Sequence, residues 1–217
     1  MRYRPIYKDI SIVTVGKVNR DICNPLNLYK HRVISQEELG AINDKDMRVG
    51  MDIVSFKTSA FELYCDERRM QVRSEDCSRS DQLSDVTLNI LRLSETTPTA
   101  IGINATFRFM LDEPSFLMFC NKCSPMAAFE PMADNALLVD LTFLDWNHNV
   151  NDGNPMSVYN IKRLPDEVNN QKVIQMSVNN HLEMRDGMNT VMYYLAETTN
   201  FHSHFFDRCQ QFINNIQ

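Results

Sequence analysis

Glycine is scarce in this chain, with six among 217 residues. None of them falls in a GxGxxG or a Walker-type GxxxxGKS/T spacing. Phosphate loops of those kinds need glycine so that the backbone can approach the phosphates, and nucleotide binding through them is excluded. Long apolar runs are also missing. Nowhere do about 18 apolar residues follow one another, the length a membrane-spanning helix requires. The opening residues Met1-Arg2-Tyr3-Arg4-Pro5 lead into Tyr7, Lys8 and Asp9 without the apolar core of a signal peptide. The expectation is therefore no membrane association.

An excess of positive charge is absent too. Twenty-two Lys and Arg stand against 28 Asp and Glu, a formal net charge of −6. Nucleic acid attracts concentrated Lys and Arg, and the overall field here has the wrong sign. The nearest basic cluster is Arg68, Arg69, Arg73 and Arg79, but Asp66, Glu67, Glu75, Asp76 and Asp81 interleave with it. That pattern describes a mixed-charge hairpin end, and nucleic acid is not an expected partner. The six cysteines (Cys23, Cys65, Cys77, Cys120, Cys123 and Cys209) are too sparse for a disulfide scaffold. Thiols in a reducing compartment are expected, which points to the cytoplasm.

What the chain does contain is ordinary globular material, 43% hydrophobic and 23% charged. Its length suits one domain able to bury a large core unaided by metal or disulfide. No internal repeat is visible. Period-two alternation marks strands over Asp9–Val18, Met51–Lys57, Ala60–Cys65, Arg69–Arg73, Thr99–Leu111, Ala136–Trp146, Met156–Arg163 and Lys172–Met184. The strongest is Thr99–Leu111, with Ile101, Ile103, Ala105, Phe107, Phe109 and Leu111 on one face.

Helical spacing marks Asp81–Glu95, with Ser80 or Asp81 as N-cap, and Asn200–Ile216, with Thr198 or Thr199 as N-cap. A shorter helix is expected at Ser35-Gln36-Glu37-Glu38, which fits a capping box. The fold expected is α+β over residues 1–217: a largely antiparallel sheet of six to eight strands with two main amphipathic helices on its apolar face.

Cys120-Asn121-Lys122-Cys123 is the most specific local motif. Two thiolates at this spacing can grip zinc, but a structural site needs four ligands and no second pair accompanies them. Capping at Ser115 would place both cysteines near the C-terminal end of a short helix, where the dipole disfavours a thiolate. In His202-Ser203-His204 the two rings diverge on a helix, so His202 is expected at the core edge and His204 at the surface. No cofactor is expected.

Two functional readings compete with a zinc-stabilised binding module through Cys120 and Cys123. A hydrolase or nuclease would use a polar strand face carrying Arg108, His181 and Glu183, which holds a cation, a base and an acid. The leading reading comes from residues 113–135, a protruding or capping segment that follows neither the helical nor the strand period. It carries Phe116, Met118, Phe119, Met126, Phe129 and Met132, and methionine suits adaptable contact surfaces. These six residues are the expected partner-binding set. The protein expected is a non-enzymatic interaction or assembly protein, binding a protein partner or a second copy of itself, as a homo-oligomer or a subunit of an intracellular complex.

Overall fold

A computed structural model of the chain describes residues 3–96, 98–123, 140–145, 156–164, 172–184 and 188–215. Among these residues nine strands form one sheet in which every neighbouring pair is antiparallel. The strands are β1 (Tyr3–Val15), β2 (Arg48–Val49), β3 (Val54–Lys57), β4 (Glu62–Cys65), β5 (Arg69–Ser74), β6 (Ala100–Leu111), β7 (Asp140–Asp145), β8 (Met156–Leu164) and β9 (Lys172–Glu183). Their order is β2-β3-β4-β5-β1-β6-β9-β8-β7. The α+β class and antiparallel sheet agree with expectation. The ninth strand is the two-residue β2, too short to leave a period in the sequence.

Among the described residues seven α-helices accompany the sheet: α1 (Arg20–Cys23), α2 (Pro25–Lys30), α3 (Gln36–Gly40), α4 (Ser80–Leu93), α5 (Glu113–Cys123), α6 (Met188–Ala196) and α7 (Thr198–Asn215). The connectivity shows a repeat that residue identities conceal. Each half of the chain runs from a long strand through a helical segment into an antiparallel meander and ends in covering helices. The first half is β1, α1–α3, β2–β5 and α4; the second is β6, α5, β7–β9 and α6–α7. The two long strands β1 and β6 pair at the centre, from Tyr3 opposite Leu111 to Val15 opposite Ala100.

The core lies between one sheet face and the helices. On β6, Ile101, Ile103, Ala105, Phe107, Phe109 and Leu111 are all buried, as strict alternation requires of a one-sided strand. Burying each large side chain contributes about 1.5–3 kcal/mol. Phe107 and Phe109 stack at 5.5 Å, and Phe206 of α7 meets Phe107 edge-on at 6.2 Å. Along α7 the inward stripe is His202, Phe205, Phe206, Cys209 and Ile213. Phe212, at the edge of this stripe, remains 37% exposed.

Helix starts depart from expectation in instructive ways. The capping box at Ser35 is present: Ser35 Oγ accepts from Glu38 N–H at 3.1 Å, and Glu38 accepts from Ser35 N–H at 2.8 Å. For α4, the start signal lies upstream at Asp76, which caps a short 3-10 turn through Ser78 N–H at 3.0 Å. For α5, the cap is Asp112 rather than Ser115: its carboxylate accepts from Ser115 N–H at 2.9 Å. Pro114 therefore starts this helix instead of breaking the chain, since a first-turn proline gives up no helical hydrogen bond.

Candidate functional site

The segment beginning at Glu113 is not irregular over its first 11 residues but helical, as α5. Its inward stripe is Phe116, Phe119 and Cys120, with relative exposures of 1%, 0% and 1%. Phe119 meets Phe109 edge-on at 5.8 Å and Phe212 at 5.9 Å. Phe116 and Phe119 thus belong to the core and not to an outward partner-binding face, because a helix crossing an apolar sheet must bury one stripe. Leu117 and Met118 occupy the outward side, about half exposed. Met126, Phe129 and Met132 lie outside the described residues.

The C-terminal end of α5 reaches a groove of about 560 Å³ between the β7–β8 hairpin and α7. Its apolar walls come from Leu141 and Phe143 on β7, Tyr159 on β8, and Phe205 and Phe212 on α7. The rings of Phe143 and Tyr159 stack at 5.1 Å and 8°. Phe143 and the neighbouring Leu144 remain 47% and 55% exposed. Lys122 and Arg208 supply positive charge, and among the described residues no Asp or Glu lines the groove. In a chain with more acids than bases, such a lining favours a negatively charged visitor. Sequence reasoning missed Phe143, Tyr159, Lys122 and Arg208. Their periodicity announces strands and helices but not which of these will share a groove.

Two thiols, Cys123 and Cys209, also line this groove. Burial pushes both up to about 12, helped for Cys123 by the adjacent Cys120. At neutral pH they are protonated, hence poor nucleophiles. Among the described residues no group of three or more His, Cys, Asp or Glu is placed to hold a metal ion. None of the six cysteines forms a disulfide.

The polar strand face separates the residues proposed for catalysis. Arg108 on β6 stands opposite Gln175 on β9 and donates to its side chain at 2.7 Å. His181 stands opposite Gly102, and Glu183 opposite Ala100. Six residues along a strand separate the level of Arg108 from that of His181, about 20 Å at an ordinary strand rise. The structure therefore does not bring these three side chains to one point.

The same face carries an ionic network in the first half of the chain. Arg73 of β5 reaches the carboxylates of Asp9, Glu62 at 3.0 Å and Glu75 at 3.4 Å, and donates to the Tyr7 hydroxyl. Lys57 completes it through Glu62 at 2.6 Å. Burial and the hydrogen bond to Asp9 push the Tyr7 phenol up to about 12. Arg73 is held in its charged form by Asp9 and Tyr7 against its partial burial. This arrangement braces β3, β4, β5 and β1 and leaves Arg73 engaged on several sides.

His202 is 1% exposed, and its Nε2 donates to the Asn104 carbonyl at 3.1 Å. Its Nδ1 is buried without a partner among the described residues. Burial lowers its pKa to about 4. His204 is exposed, so the two rings diverge as expected and form no ligand pair. Asp145 ends β7, and the following Trp146 and His148 lie outside the described residues. No helix among the described residues is long and apolar enough to cross a membrane. No protein-family model matches the chain, and no curated protein matches it in sequence.

Proposed function

We propose that this chain is a non-enzymatic interaction or assembly protein. It seats an apolar segment of a protein partner, flanked by acidic residues, in the groove between the β7–β8 hairpin and α7. The observation that supports this reading is the groove itself, which among the described residues has aromatic walls, two cations and no carboxylate. Exposed Phe143, Leu144 and Phe212 at its margin extend the apolar area beyond what scattered surface residues supply. The outward Leu117 and Met118 of α5, of which Met118 belongs to the expected partner-binding set, lie on the helix whose end lines the groove and extend the proposed contact region. Six thiols without a disulfide accord with an intracellular setting.

The test compares affinity capture by the intact chain with capture by Phe143→Ser/Phe212→Ser, alongside the sedimentation mass of both. Lys57→Ala, on the polar sheet face, is the control. The reading expects a partner, or a second copy of the chain, that is retained by the control and lost by the double variant. Equal capture by all three proteins, with unchanged mass, would overturn it.

A further inference from the structure

A second cavity, of about 670 Å³, opens where three connections meet. They are the β1–α1 junction, the β2–β3 turn and the loop leaving α4. Loops converging from distant parts of a chain are where rigid scaffolds present ligand contacts. This volume falls within the range of small-molecule sites.

The polar side of the cavity is mainly cationic. Among the described residues Lys17 and Arg20 both line it, against the single carboxylate of Asp21. Neither cation forms an ion pair among the described residues, although the chain carries more acids than bases. Ser94 also lines the cavity, with its Oγ buried and without a hydrogen-bond partner among the described residues.

The loop leaving α4 is built to hold that serine in place. Thr96 N–H reaches back to the Leu91 carbonyl at 3.1 Å, and Glu95 adopts φ 50, the left-handed conformation that glycine usually supplies at a helix end. This closes the helix and fixes Ser94 and Thr96 at the wall. The remaining side of the cavity is apolar. Val54 is buried there, while Val49 and Met51 are 48% and 90% exposed. An almost fully exposed methionine at the mouth of a cavity suits contact with the apolar part of a ligand.

We infer that this cavity binds a small organic anion. Its phosphate or carboxylate group is held by Lys17 and Arg20, and its apolar portion lies against Val49 and Met51. The site is separate from the partner groove and stands whether or not the groove binds a protein.

The experiment titrates phenyl phosphate, benzoate and phenol into the full chain, followed by amide chemical shifts. Phenyl phosphate or benzoate binds saturably in the millimolar range, as expected of probes this small. Phenol binds at least about tenfold more weakly, because it lacks the anion that the two cations engage. The order of the two anions reports which headgroup the site prefers. Lys17→Gln/Arg20→Gln, checked for folding by circular dichroism, weakens the anions about tenfold, and Lys17→Arg keeps them. Phenol binding as well as the anions would overturn the inference. So would no saturable binding at millimolar concentration, or a folded double variant with unchanged affinity.

Discussion

The guanidinium of Arg108 lies 4.5 Å from the ring centroid of Tyr7 on the neighbouring strand. Tyr7 in turn donates to Asp9 at 2.6 Å and accepts from Arg73. A line of paired side chains therefore runs from Lys57 on β3 to Gln175 on β9 without leaving the sheet surface. Its members are fixed by one another, which makes them a brace for the strands.

Arg73 is the branch point of this brace, with its side chain 30% exposed. Arg73→Ala is expected to cost about 1–2 kcal/mol, since it strands the carboxylate of Asp9 and part of Glu62. Lys57 is 57% exposed and makes one surface pair. Lys57→Ala is expected to stay within about 0.5 kcal/mol. Urea denaturation of both variants checks the order, and equal losses would deny Arg73 its central place.

The two sides of α5 separate core from surface in one helix. Phe119→Ala should cost about 3–5 kcal/mol, because the ring is fully buried between Phe109 and Phe212. Met118→Ser, one residue earlier, should change stability by about 0.5 kcal/mol or less. Thermal unfolding of the two proteins measures the contrast.

Acid should weaken the fold through His202. Its imidazole titrates at about 4 when folded, against an ordinary value of 6.5. Between those limits the unfolded chain binds the proton and the folded chain does not. The contribution of His202 is thus complete above about pH 6.5 and is lost as the pH falls toward 4. The loss amounts to a few kcal/mol. His202→Gln should flatten the stability profile in this window in denaturant titrations at stepped pH. An unchanged slope would mean that another group carries the acid sensitivity.

Much of this architecture could be read from the residues. The alternation on β6 was legible because its strand is buried on one face only, so apolar and polar residues separate cleanly. The Ser35–Glu38 box was legible because capping is local chemistry. The helix α5 was obscured by Pro114, which reads as a breaker unless Asp112 is recognised as the cap. With that cap in place, Phe116, Phe119, Cys120 and Cys123 fall at helical spacing, and the stripe was present all along. The helices α1 and α2 are shorter than two turns and leave no period to detect. The groove near Lys122 and Arg208 was not legible in principle, since its walls come from β7, β8, α5 and α7, and only the folded chain brings them together.

The repeated architecture also has a meaning in time. Within each half, β3–β4–β5 and β7–β8–β9 are neighbours in sequence and can pair as soon as their turns form, on the microsecond scale typical of hairpins. The ladder that unites the halves joins residues as far apart along the chain as Tyr3 and Leu111. Its closure must wait until nearly half the chain has been drawn together, and pairing over such separations is slow in proportion to its reach. The seam between β1 and β6 is thus expected to be a late step in folding, and until it closes β1 and β6, each paired within its own half, leave one backbone edge open.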